Sequence, residues 1–223
     1  MRSRTRIIGW LAAVLMTQPA TADLEKGLAA VQSGQWDKAY QQFHRSAAEG
    51  NPDAQVNLGN LYLQGLGVER SDLKAYDWYA KAARQGHAQA LGKLGIMHYQ
   101  GLGVAEDHAA AADWFRKAAE KGNADAAMIL AELHARGDGV SKSKPEAYLW
   151  YSIAADLGKA EASETRMQLA AELAPSEVNA MLTQLNVWRQ EHETLLTQHK
   201  PPSPHRQSHP IRGQSNRSNS ENR

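Results

Sequence analysis

A 36-residue period runs through this chain and constrains its fold more than any single residue does. Gly65, Gly101 and Gly137 fall in one column of the repeat, Gly67, Gly103 and Gly139 in a second, and Val68, Val104 and Val140 in a third. The register continues through Ala75, Ala111 and Ala147; Trp78, Trp114 and Trp150; Tyr79, Phe115 and Tyr151; Ala83, Ala119 and Ala155; and Gly86, Gly122 and Gly158. A period between about 20 and 50 residues marks a solenoid or array, because so short a unit cannot bury its own apolar face and must stack on its neighbours.

Within the period, the spacing predicts two helices and a glycine-punctuated loop. Leu58, Leu61 and Tyr62 recur at helical spacing on a first helix, and Leu94, Met97 and His98, then Leu130, Leu133 and His134, repeat the stripe. Gly65, Gly101 and Gly137 end that helix, where a residue free to take positive φ closes the last turn. Ser71, Asp107 and Ser143 stand where the second helix needs a side chain to accept hydrogen bonds from its first amides. Ala75, Trp78, Tyr79, Ala82 and Ala83 carry the body of the second helix to Gly86. Gly59 and Gly95 sit inside the first helix, where glycine costs about 1 kcal/mol relative to alanine. Close approach of the second helix, through Ala82 and Ala83, is the expected compensation, and Ala131 in the third repeat shows that small volume is what matters.

The ends differ from the middle. Arg2, Arg4 and Arg6, the apolar run from Ile7 to Met16 and Ala20-Thr21-Ala22 have the form of a secretory leader with cleavage after Ala22. The run is shorter than the roughly 20 residues a transmembrane helix needs, and no later segment supplies them. The chain after residue 22 is therefore expected to be exported, periplasmic and without an integral membrane segment. Cysteine is absent, which excludes disulfides, thiolate metal sites and a cysteine nucleophile. Residues 23 to 199 carry 17 basic against 23 acidic residues, an acidic body that gives no support to nucleic-acid binding. From residue 199 to 223 the composition is basic and nearly free of apolar residues, which predicts a disordered tail.

The run Asn57-Leu58-Gly59-Asn60-Leu61-Tyr62, the loop Gly65-Leu66-Gly67-Val68 and the stretch Ala75 to Ala83 closed by Gly86 resemble the Sel-one-like repeat family, a relative of the tetratricopeptide repeat with a longer loop between its helices. The resemblance covers residues 27 to 165 and implies an all-α, right-handed α-solenoid. Residues 51–158 then form three repeats of 36 residues. Residues 23–50, with only Ser33-Gly34-Gln35 between Leu24 to Gln32 and the Ala39, Tyr40, Phe43 and Ala47 stripe, form a tetratricopeptide-like pair in front. Residues 159–198 close the stack: Arg166 breaks the leucine column, and Pro175-Ser176 opens a helix with Val178, Met181, Leu182, Leu185 and Trp188 on one face.

Three arrangements invite a catalytic or ligand reading. Ser71-x-x-Lys74 and Ser141-x-x-Lys144 match a serine–lysine nucleophile spacing, but Asp107 replaces Ser71 one repeat on, which a cap tolerates and a nucleophile does not. His98 and His134 share a column with Tyr62, too few ligands for a metal, so an aromatic ladder between helices is expected. Trp78, Trp114 and Trp150 lie on an alanine-flanked stripe and are expected as core between repeats rather than as a sugar platform.

The resemblance implies a non-catalytic scaffold with neither cofactor nor metal that binds a protein or peptide on its concave face. Carried onto this sequence, the tetratricopeptide groove positions are Asn57, Asn60 and Gln64; Lys93, Ile96 and Gln100; and Ile129, Glu132 and Arg136. The alternatives are a scaffold for an envelope polysaccharide, with Tyr99 as its candidate ring, and a hydrolase, for which no convergent nucleophile and base stand out.

Overall fold

The structure, a computed structural model, describes residues 19–199, which form eleven helices and no strand. The expected leader up to residue 18 and the expected tail beyond His199 lie outside the described residues. The helices are α1 (Pro19–Gln32), α2 (Trp36–Ala48), α3 (Pro52–Gln64), α4 (Asp72–Arg84), α5 (Ala88–Gln100), α6 (His108–Glu120), α7 (Ala124–Arg136), α8 (Lys144–Asp156), α9 (Ala162–Glu172), α10 (Pro175–Glu191) and α11 (Glu193–His199). From α1 to α8 they pair as successive hairpins, and the second helix of each pair packs on the first helix of the next, the all-α solenoid that the period predicts. None of them is long and apolar enough to cross a membrane. Helix α1 starts at Pro19, ahead of Leu24 where the apolar spacing placed it, so it takes in Ala20-Thr21-Ala22. A proline suits a first helical turn, where its missing amide costs nothing.

The local signals act as their chemistry requires. Gly65, Gly101 and Gly137 close α3, α5 and α7 at φ of 70°, 65° and 78°. The Ser71, Asp107 and Ser143 side chains accept from the amides of Lys74, Ala110 and Glu146 at 3.3, 2.9 and 3.2 Å. A second capping column, Asn51, His87 and Asn123, serves the first helices through the amides of Ala54, Ala90 and Ala126 at 3.0, 3.3 and 3.0 Å. Its spacing was visible in the sequence, but His87 hid it, since histidine is an uncommon cap.

The second loop glycine spaces the repeats. A Cβ on Gly103 would lie 2.7 Å from the carbonyl carbon of Asp72, and Gly67 and Gly139 meet the backbone of Trp36 and His108 in the same way. The loop of each repeat therefore rests on the first turn of the preceding repeat's second helix.

Two packing expectations change. Gly59 and Gly95 face the rings of Tyr79 and Phe115, 2.6 and 2.7 Å from where a Cβ would stand, rather than Ala82 and Ala83. The small residue makes room for an aromatic edge. The tryptophan column is not uniform core either: Trp150 is buried, whereas Trp78 and Trp114 are half-buried beneath the ammonium groups of Lys81 and Lys117, 3.6 and 4.5 Å from the ring centroids. Trp150 differs because α10 covers it. Helices α9 and α10 both pack on α8 and hardly on each other, and Met181, Leu185 and Trp188 are buried beneath α10. Leu182, expected on that face, is exposed. Arg189 clamps α10 to α8 through two hydrogen bonds to Asp156, at 2.6 and 2.9 Å.

Candidate binding groove

Because α5 and α7 are equivalent first helices of successive repeats, their outward residues fall in the same places: Lys93, Ile96 and Gln100 on one, Ile129, Glu132 and Arg136 on the other. The spacing of three and four residues puts each trio on one helix face. Between the helices runs an open groove. One stretch, of about 400 Å³, is lined by Gln89, Gly92, Lys93, Ile96, Phe115, Asn123, Asp125, Ala126 and Ile129. The other, of about 680 Å³, is lined by Ile96, Tyr99, Gln100, Phe115, Ile129, Glu132, Leu133 and Arg136. Ile96, Phe115 and Ile129 belong to both, which joins them into one apolar floor.

Charge is unevenly satisfied along this groove. Arg136 pairs with Glu132 at 3.4 Å, and Asp125 pairs with Lys159 at 2.5 Å. Among the described residues Lys93 has no carboxylate within ion-pairing distance.

Six of the nine expected contact residues thus meet in one groove, and the three from the first repeat do not join it. The Asn57 amide donates to the carbonyl of Asp53 at 2.9 Å, Asn60 accepts from the Tyr79 hydroxyl at 2.7 Å, and Gln64 is exposed. All three stand on α3, which does not border the interval between α5 and α7, and Asn60 is in addition engaged by a hydroxyl. Tyr79 is fully buried, so its polar end must find an acceptor, and burial also pushes its acidity well below that of a free phenol.

A polar cluster that the repeat pattern does not assemble closes the far end of the groove. The Tyr99 hydroxyl donates to Asp138 at 2.8 Å, and the His108 ring stacks on Tyr99 with 4.4 Å between centroids. His108 Nδ1 meets the other Asp138 oxygen, and its Nε2 lies 3.0 Å from Glu106. Hydrogen bonding to Asp138 raises the His108 pKa above the ordinary histidine value, and the same contact lowers that of Asp138. The Tyr99 pKa is raised by its bond to Asp138. The signal in the sequence was a set of broken columns: Asp138 stands where Leu66 and Leu102 stand in the other repeats, Tyr99 where Leu63 and Ala135 stand, and His108 where Asp72 and Lys144 stand.

The catalytic spacings are spent on structure. The Ser71 hydroxyl caps α4 while Lys74 reaches over the Tyr62 ring, and Lys144 pairs with Glu172 at 2.8 Å. In the histidine column, His98 stacks on Trp114 and lies 3.5 Å from the Tyr76 hydroxyl, while His134 is buried, which lowers its pKa. Among the described residues no three His, Asp or Glu side chains gather as metal ligands.

Known proteins carry the same pattern. The Sel1 repeat family model matches residues 52–87, 88–123 and 124–159, the same 36-residue units set one residue later. A Sel1 repeat protein from Oxalobacter formigenes is 36% identical and superposes with a TM-score of 0.59, covering 63% of this chain and 58% of its own. A protective antigen of uropathogenic Escherichia coli displaying an SLR fold is 23% identical with a TM-score of 0.46, over 91% of this chain and 50% of its own. This chain thus spans 58% of the length of the first and 50% of the second. No curated protein matches the sequence. With three consecutive units in register, capped and glycine-spaced alike, residues 52–159 are three Sel1 repeats, the unit of a family of helical-repeat scaffolds for protein interaction.

Proposed function

We propose that this chain is an exported, non-catalytic adaptor of the bacterial envelope that holds a segment of a protein partner in the α5–α7 groove. The observation that carries the reading is the groove itself: a continuous apolar floor of Ile96, Phe115 and Ile129 between two helices, bordered by Lys93 and Arg136. An apolar floor with polar and charged side chains along its edges is the usual anatomy of a protein-interaction surface. The basic start, apolar run and Ala20-Thr21-Ala22 support export. A polysaccharide reading is weaker, because one face of the Tyr99 ring is covered by His108 and its hydroxyl is engaged by Asp138.

The test is affinity capture from an envelope extract with the chain beginning at Asp23. Lys93→Glu with Arg136→Glu should reduce recovery of the partner by about tenfold or more, since each charge-assisted hydrogen bond contributes about 1.5 to 3 kcal/mol. Unchanged recovery, with helical content intact, rules the groove out. Sequencing the N-terminus of the exported protein tests the leader, and a start at Met1 refutes it.

A further inference from the structure

The three repeats are near copies, so a difference between them at one position isolates what that position does. Tyr79, Phe115 and Tyr151 form one column on the second helices, and Asn60, Ile96 and Glu132 form a column on the first helices. In the first repeat the ring lies against Gly59, and its hydroxyl reaches past that glycine to Asn60 at 2.7 Å. In the second repeat the ring lies against Gly95 in the same way but ends in a C–H, and isoleucine replaces the acceptor. A hydroxyl buried there would need a partner; without it, the surface above Phe115 is free to be apolar. The exchange is a matched pair, hydroxyl with amide in one repeat and neither in the next. Glu132 and Tyr151 bring polarity back in the third repeat, where burial and the nearby Glu132 carboxylate raise the Tyr151 pKa. The apolar patch is therefore confined to the interval between α5 and α7.

Its length and charge define what fits. From Lys93 to Gln100 the groove follows α5 for about 10 Å at 1.5 Å per residue. That is the span of about three residues of extended chain, in which side chains two apart point to the same face. The ends differ in charge. At one, Lys93 stands without an ion pair among the described residues; at the other, Arg136 is paired with Glu132, and Asp138 and Glu106 flank His108. Asp125, beside Lys93, is taken up by Lys159, so a carboxylate arriving at that end meets a cation without an ion pair.

We infer that the groove takes an extended peptide segment with two apolar side chains two residues apart and a carboxylate at the end that lies over Lys93, and that the first-repeat face of Asn57 and Asn60 takes no part. The inference rests on the protein-segment reading above and gives that segment its chemistry and direction.

Three capped pentapeptides test it, acetylated and amidated so that no terminal charge competes. The first has aspartate at its first position and leucine at its third and fifth, which puts the three side chains on one face of the extended chain; the second replaces that aspartate by lysine; the third replaces both leucines by serine. Titrated into isotopically labelled protein, the aspartate peptide should shift backbone amides over residues 93–100 and 129–136 and leave residues 57–64 unmoved. The lysine peptide should bind about tenfold more weakly, the loss expected for one charge-assisted contact. The serine peptide should produce no shift at the same concentration. A variant carrying Lys93→Asn, Ile96→Asn and Phe115→Tyr, which writes the first repeat's chemistry into the second, should remain helical and lose binding.

The inference is overturned if aspartate and lysine peptides bind alike, if shifts fall on residues 57–64, if the aspartate peptide gives none, or if the folded triple variant binds undiminished. Should the triple variant unfold, the comparison of peptides on the unaltered chain still decides. If the peptides fail while Lys93→Glu with Arg136→Glu still loses the envelope partner, the segment chemistry is wrong and the groove stands. If the double reversal also leaves capture intact, both readings fall.

Discussion

Gly103 lies so close to the backbone of Asp72 that a Cβ placed on it would stand 2.7 Å from the Asp72 carbonyl carbon and 2.8 Å from the amide nitrogen of Leu73. At φ of 71° the same residue also occupies a conformation that side chains disfavour. Two separate requirements meet at one position, and both set how the second repeat sits on the first.

Replacing Gly103 by alanine should therefore destabilise the solenoid strongly. Backbone strain contributes about 1 to 3 kcal/mol and the steric clash with α4 a similar amount. Gly158, at φ of 97°, has nothing within 4 Å of where a Cβ would stand, so its alanine variant should lose only the strain. Paired denaturant melts measure the difference; equal losses would show that the contact with Asp72 does not set the spacing.

The tryptophan column should grade by what covers it. Trp150→Ala removes a buried ring from beneath α10 and should cost about 3 to 5 kcal/mol. Trp114→Ala should cost clearly less, because that ring is half-exposed and its contact with Lys117 is worth about 0.5 to 1 kcal/mol. Equal costs in chemical unfolding would refute the grading.

The cluster of His108, Asp138, Tyr99 and Glu106 gives stability a pH dependence whose direction follows from the shifts. The His108 pKa is raised in the folded chain, so its contribution is fully present below the ordinary histidine value, about 6.5, and is lost as pH rises through the raised one. The Asp138 pKa is lowered, so its contribution is present above the ordinary carboxylate value, about 3.9, and is lost as pH falls through the lowered one. The contact is strongest between these limits. The melting temperature of His108→Gln should fall furthest below that of the parent near pH 5 to 6, and the gap should narrow by pH 9. A gap that stays constant across that range contradicts the assignment.

Arg189 should hold α10 in place. Its two hydrogen bonds to Asp156, at 2.6 and 2.9 Å, link α10 to α8 across 33 positions of sequence. Both partners are partly solvent-exposed, so Arg189→Ala should cost no more than about 1 kcal/mol overall. Limited proteolysis should nevertheless cut ahead of α10 sooner in the variant, and an unchanged cleavage rate would show that Met181, Leu185 and Trp188 suffice to hold the helix.

Much of this architecture was legible in the residue pattern. Period, helix pairs, the glycine that ends each first helix and the Ser71, Asp107 and Ser143 caps all rest on interactions within a few residues of one another. Such interactions repeat whenever their residues repeat, so the column alone suffices to read them. The nine groove positions came instead from the resemblance, one trio per repeat, and six of them line the interval between α5 and α7.

What the columns did not carry was the identity of the neighbour on the other side. Trp78, Trp114 and Trp150 are one letter in one place, yet only the last is buried, because only α8 is followed by a helix that leaves the repeat path and lies over it. Asn60 is engaged because a hydroxyl on Tyr79, 19 positions away, needs an acceptor. His108 and Asp138 became a pair because stacking brought the start of α6 against the loop after α7. The order of residues was enough to specify the repeating unit, since hydrogen bonding and helical spacing act locally. Which copy of each column is covered, paired or open depended on the stacked fold, since burial and charge follow from what the next repeat, or the end of the stack, places opposite.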